Sequence, residues 1–307
     1  MARSRFLQPL LAPFADVVRG LDRCLDRGVR GLILTAVGLL AGWWVYVPLH
    51  ELLHAAACRA SGGGVTRLEI DRLYGGALLA RVFPFVTPAS AYAGRLSGFD
   101  TRGSDWIYLA TDLGPFVLTL FPGVWALRRA AAAGNGLLFG ASLPFALAPF
   151  LSLTGDAYEI GSIVATHIPP WTAPAIRALL RGDDLVKEWG ELANIPGAPL
   201  GGALLAMAFG VLWAFLTYGA GDLVARALGE PSLPRRGPED RRGANKYCKV
   251  SMWRRRNAQS VGLPSPTSPC LPPPRHSGSR RAKASISLGT STKVRVTLGS
   301  QVSFSHS

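Results

Sequence analysis

Residues 31–58 read GLILTAVGLLAGWWVYVPLHELLHAAAC. No charged side chain occurs from Gly31 to Leu49, and apolar residues resume after the pentapeptide His50 to His54. A helix that crosses a bilayer needs about 20 apolar residues. This run is long enough even with its polar interruption, and it decides the fold class. The sequence reads as an all-α integral membrane protein. Three further uncharged runs support that reading: 106–127, broken only by Asp112 and closed by Arg128 and Arg129; 136–154; and 200–220. The expectation is a multi-pass bundle of about four transmembrane helices in the lipid bilayer, occupying residues 31–232.

Outside these runs the composition changes. Residues 1–30 place Phe6, Leu10, Phe14 and Val17 at helical spacing, followed by Arg19, Arg23, Arg27 and Arg30. That pattern predicts an amphipathic N-terminal helix at a membrane interface. Between the first two runs, Val65 to Ile70 and Leu78 to Val86 flank Gly75 and Gly76, which predicts a small β-hairpin insertion. Residues 173–194 predict an extramembrane helix with Asp183, Asp184, Lys187 and Glu188 on its wet side. From residue 233 to 307 Pro, Ser, Arg and Gly dominate, and no apolar period is sustained, which predicts a disordered tail. The tail holds 15 Lys/Arg and 2 Asp/Glu, against 18 and 17 in residues 1–232. The net charge of +14 therefore belongs almost wholly to the tail and gives no reason to expect nucleic acid on the core. Cys24, Cys58, Cys248 and Cys270 form no Cys-x-x-Cys pair and indicate no disulfide framework.

His50, Glu51 and His54 fit His-Glu-x-x-His. Residues four apart on a helix share one face, so two imidazoles can bind one zinc ion while Glu51 serves as general base on a water. With five His and seven Glu in the chain, chance places this pattern in about two of a thousand such chains. Imidazoles and a carboxylate in an apolar span are costly and usually functional.

A zinc site needs a third protein ligand. His50 stands ~29 Å along a helix that begins at Gly31, and Asp156 stands ~30 Å along one that begins at Gly136. Spans alternate in direction, so the two reach one membrane level, and Asp156 becomes the candidate ligand. Glu159, three residues on, is an alternative ligand or a partner that orients one. Asp112 can orient a histidine, move a proton or face water. His167 reads as a surface histidine, and Cys58 as a small buried residue.

On these residues the chain resembles the site-2 protease family of intramembrane zinc metalloproteases. His50, Glu51 and His54, followed by Ala55, Ala56 and Ala57, match its first motif. Leu153, Thr154, Gly155 and Asp156 stand where the family carries a Leu-Asp-Gly motif with its third ligand, here with the order Gly-Asp. Gly114 and Pro115 are similar to a pair in its intervening span. The resemblance covers residues 31–160 and implies a membrane-embedded endopeptidase whose substrate is a membrane protein, cut at a transmembrane helix that locally unwinds. It implies catalytic Glu51, the zinc ligands His50, His54 and Asp156, and a site nearer the cytoplasm. The other readings are an inactive zinc-binding scaffold, which has no need of Glu51, and a small transporter, for which internal repeats are missing.

Overall fold

The computed structural model describes residues 3–181 and 198–230, with side chains from residue 10 and from residue 200. All lie in the first of the two units into which the chain divides, Met1–Arg241. The tail 233–307 and most of the expected helix 173–194 fall outside the described residues, apart from α9 below.

The protein is mostly helical. α1 (Arg3–Leu25) leads through a short turn into α2 (Val29–Ala60). An insertion follows with β1 (Gly64–Ile70), α3 (Gly76–Val82), β2 (Val86–Thr87) and β3 (Gly94–Asp100). The chain then re-enters the bundle as α4 (Asp105–Leu113), two irregular turns and α5 (Val124–Ala132). α6 (Gly136–Ala146), α7 (Ala148–Leu151), α8 (Asp156–Ala165), α9 (Pro174–Leu180) and α10 (Ala198–Ala227) complete it.

Among the described residues, three helical segments are long and apolar enough to cross a membrane: Val29–Ala60, Asp105–Ala132 and Leu200–Ala227. The second is broken at Phe121, whose φ of −159° and ψ of 133° leave the helical region. Pro122 follows and disfavours helical backbone at the residue before it. The run 136–154, expected as a fourth span, is not among them. It forms the 11 residues of α6 and the 4 of α7, interrupted at Leu147. Pro149 cannot donate its main-chain nitrogen to a continuing helix, so a new one starts there.

The insertion also differs from the expected hairpin. β1 forms as a strand, but Gly76 to Val82 is helical, because Ala, Leu and Arg are strong helix formers. The partners of β1 are β2, in parallel, and β3, antiparallel, giving the order β2-β1-β3. Asp71 accepts from the main-chain nitrogen of Leu73 and starts the turn that separates β1 from α3.

Two close helix contacts fix the frame of the site. Gly136 and Gly140 lie against α2 at Thr35, and a Cβ on Gly140 would stand 2.7 Å from the nitrogen of Leu39. Gly161 of α8 and Gly210 of α10 meet in the same way, with a Cβ on Gly210 only 2.8 Å from the carbonyl carbon of Ala157. Small residues four apart let helix backbones approach this closely. The second contact holds the start of α8, and with it Asp156, against α10.

Candidate metal centre

The site is built on three elements. α2 carries His50 and His54 one turn apart, with ring centroids 4.8 Å apart and Nε2 atoms 3.1 Å apart. α8 begins at Asp156, whose Oδ2 is 3.1 Å from His50 Nε2 and whose Oδ1 is 3.4 Å from His54 Nε2. α4 crosses behind, close enough for the Thr111 carbonyl to lie 2.9 Å from His54 Nδ1. Gly114 at the end of α4 makes that crossing possible, since a Cβ there would be 2.6 Å from the carbonyl oxygen of Leu53.

The hydrogen bonds around the histidines set their chemistry. A carbonyl only accepts, so His54 Nδ1 carries the hydrogen in this bond and a neutral His54 presents a lone pair at Nε2. Tyr46, one turn before His50, places its hydroxyl 2.8 Å from His50 Nδ1. Both imidazoles are thus held from behind, with Nε2 turned to the centre. Both are also buried.

Two imidazole nitrogens and a carboxylate oxygen converge within 4.8 Å of one another. Electron-pair donors packed this closely need a positive charge among them. The two Nε2 atoms, 3.1 Å apart, compare with an edge of ~3.3 Å for a tetrahedron of metal bonds ~2.0–2.1 Å long, and each Nε2 faces a different oxygen of Asp156, at 3.1 and 3.4 Å. Two imidazoles and one carboxylate form a donor set that both zinc and ferrous iron take. The residues present therefore fit a metal ion.

Glu51 follows His50 on α2 but turns toward a cavity of about 200 Å³, which His54, Asp112, Asp156, Glu159 and Arg95 also line. β3 begins directly over it. A Cβ on Gly94 would be 2.9 Å from Glu51 Cδ, so only glycine leaves the carboxylate this position.

The other sequence candidates sit around the centre rather than in it. Asp112 is buried and lines the cavity. Glu159 accepts a hydrogen bond of 3.0 Å from the Tyr108 hydroxyl. His167 lies elsewhere, 2.9 Å from Asp105, which Arg181 also grips. Cys58 is buried, its sulfur 3.6 Å from the Gly64 carbonyl oxygen.

Sequence reasoning passed over Tyr46, Thr111 and Gly94. Tyr46 had a signal, since it precedes His50 by the same four residues that separate His50 from His54. Thr111 acts through its carbonyl, which no side-chain pattern betrays. Gly94 depends on a strand crossing that only the fold reveals. Comparison of the chain with protein-family models, with curated proteins and with solved structures gave no match.

Proposed function

We propose that the protein is a multi-pass membrane hydrolase, a zinc-dependent endopeptidase similar to the site-2 protease family, acting on peptide bonds of membrane proteins at the edge of the bilayer. The observation that carries this reading is the convergence of His50, His54 and Asp156 beside a cavity that Glu51 shares, on an apolar helix long enough to cross a membrane. The exposed large apolar residues of α2 extend from Val29 to Leu49. Those 21 positions measure about 30 Å, the thickness of a hydrocarbon core. His50 comes next, which supports a site at the end of the lipid-facing surface.

His50, His54 and Asp156 would hold the ion. When bound, zinc supplies the Lewis acidity that makes water nucleophilic near neutral pH. Proton handling falls to Glu51. Its carboxylate takes a proton from the attacking water, and the resulting acid returns that proton to the leaving amide nitrogen. Thr111 and Tyr46 keep the two imidazoles turned toward the centre throughout, so no reorientation is needed during turnover. β3 lies at one end of the sheet, and its Gly94, Arg95 and Leu96 border the cavity. A strand at a sheet end can pair with an extended peptide through main-chain hydrogen bonds. A transmembrane helix must unwind locally to offer one, which agrees with an insertion placed beside the site.

The test measures metal content and cleavage of a model membrane substrate on the same purified samples. Wild type is expected to carry one zinc per chain and to cleave, and His54→Ala to lose both. A wild-type protein without divalent metal would overturn the reading. Zinc binding without cleavage by wild type would leave a scaffold.

A further inference from the structure

Apart from the metal centre, four side chains form a second polar cluster that the hydrolytic reading does not use. Arg128 of α5 is fully buried. Its Nε donates to Asp16 Oδ2 at 2.8 Å, and its Nη2 stands 2.7 Å from the same oxygen. The Tyr218 hydroxyl of α10 donates to that oxygen at 3.0 Å. Arg128 Nη1 pairs with Asp222 of α10, which Arg226 also contacts at 3.0 and 2.8 Å. Asp16 belongs to α1 and is 1 % exposed. An acidic side chain is taken out of water this completely only when a partner is waiting for it.

The contacts of α1 also give its direction. Phe14 packs on Phe150 and Phe215, with centroids 6.1 and 6.3 Å away. Asp16 meets Arg128 and Tyr218. Gly20 lies against Phe139, and Cys24 is in contact with Gly31. Passing from Phe14 to Cys24, the neighbours on the α6–α7 side move back from Phe150 to Phe139, toward the start of α6. α1 thus runs along the bundle, antiparallel to α6. A helix lying flat on a membrane surface would instead meet the bundle at one level only.

The helix has three distinct faces. Pro13, Asp16, Gly20 and Cys24 are buried against the bundle. Leu10, Leu11, Phe14 and Val18 are exposed, and at 100° per residue they fall within an arc of about 100°. Arg19, Asp22 and Arg23 lie near the C-terminal end, on the remaining side. The exposed apolar stripe adjoins α10 through the ring contact of Phe14 with Phe215, and α10 exposes Leu212, Leu216 and Leu223. The latter belong to a segment apolar enough to cross a membrane.

We propose that α1 is a membrane-embedded helix whose face of Leu10, Leu11, Phe14 and Val18 contacts lipid acyl chains, and that the Asp16–Arg128–Asp222–Tyr218 cluster clamps it to the bundle within the hydrocarbon layer. Composition hides this, because α1 carries charges that disqualify it as a span. The clamp neutralises the one charge that lies beneath the apolar stripe, and the other charged residues fall toward the two ends of α1, Arg3 and Arg5 at one and Arg19, Asp22 and Arg23 at the other. This inference is independent of the hydrolytic reading.

The experiment uses the full chain in phosphatidylcholine vesicles that contain a photoreactive diazirine lipid. One preparation has the diazirine at the acyl-chain end and the other at the head group, and adducts are mapped by mass spectrometry. For residues 11–18, acyl-end adducts are expected to exceed head-group adducts by roughly tenfold, as they should for residues 32–40 of α2. Predominant head-group adducts would show a helix on the membrane surface and overturn the proposal. An absence of adducts from both probes would show the face covered by protein, a second copy included, and would overturn it equally. The clamp is tested by Arg128→Met, which leaves Asp16 without a cation and should abolish acyl-end labelling of α1. The double variant Asp16→Leu, Arg128→Met removes both charges, leaves Asp222 with Arg226, and should restore it. Unchanged labelling in the single variant would sink the clamp. If that variant does not fold, the double variant and the native protein still give the reading.

Discussion

At the scale of single residues, the proposed hydrolysis gives neighbours on α2 opposite tasks. His54 must keep a lone pair free at Nε2, and the Thr111 carbonyl secures this. Glu51 must stay uncommitted to the ion in order to move a proton. Glu51→Gln is therefore expected to retain zinc and to lose cleavage by about 10²–10⁴-fold, because the amide keeps the size and loses the basicity. Metal analysis beside an activity assay checks it, and cleavage at the wild-type rate would end the assignment. Tyr46 stands behind His50, and partners of this kind tune metal affinity. Tyr46→Phe should weaken zinc binding by about 10–100-fold, read by competition with a chelator. The same assay ranks the carboxylates. Asp156→Ala should strip the ion, whereas Asp112→Ala and Glu159→Ala should largely keep it, since Asp156 alone of the three belongs to the converging group. Metal loss in Glu159→Ala with retention in Asp156→Ala would exchange their roles. His50, Glu51 and His54 could be read from spacing because a helix converts sequence distance into geometry directly. Asp156 came from a depth argument that assumed an unbroken helix from Gly136. The helix breaks at Leu147, yet α8 still starts beside the histidines, held there by Gly161 and Gly210.

At the scale of elements, the insertion matters most. β3 reads Gly-Arg-Leu-Ser-Gly-Phe-Asp, with no β-branched residue and Phe99 as its one strand former, too little to announce a strand. Its pairing with β1 creates the strand. Ser97 Oγ donates to Glu69 at 3.0 Å, and Thr66 Oγ1 donates to the Gly98 carbonyl at 3.2 Å. The expected hairpin failed for the opposite reason, since local helix preference in Gly76 to Val82 won over a pattern of apolar residues. Gly94 joins the insertion to the site. Gly94→Val adds atoms where a Cβ already meets Glu51, so the carboxylate must turn away or β3 must lift. Zinc content is expected to stay at the wild-type level while cleavage falls at least tenfold, a loss of about 1.4 kcal/mol in transition-state stabilisation. Equal loss of zinc and cleavage would mean that β3 holds the metal site together rather than covering Glu51.

At the scale of the whole molecule, the open question is which way the bundle faces. Arg19, Arg23, Arg27 and Arg30 precede the apolar part of α2, and Arg129 closes α5 on the same side. Arg128 does not count with them, because it is buried and paired with Asp16 and Asp222. The opposite side carries Arg59, Arg67, Arg72, Arg81, Arg95 and Arg102, then Arg177 and Arg181, of which Arg181 is held by Asp105. Basic residues that flank spans favour the cytoplasm. Up to α10 the second side carries more of them, and the basic residues at and after the end of α10, Arg226, Arg235, Arg236, Arg241 and Arg242, tip the rule toward placing the turn between α5 and α6 inside and the metal centre toward the outer face. The site-2 protease resemblance implies the reverse. The charge rule rests on residues of this chain, so it decides the expected result: a reporter fused after Ala133 should report the cytoplasm, and one fused after Gly98 should not. A cytoplasmic signal at Gly98 with none at Ala133 would invert the bundle. The metal centre would then open to the cytoplasm, and substrates would have to unwind at that face.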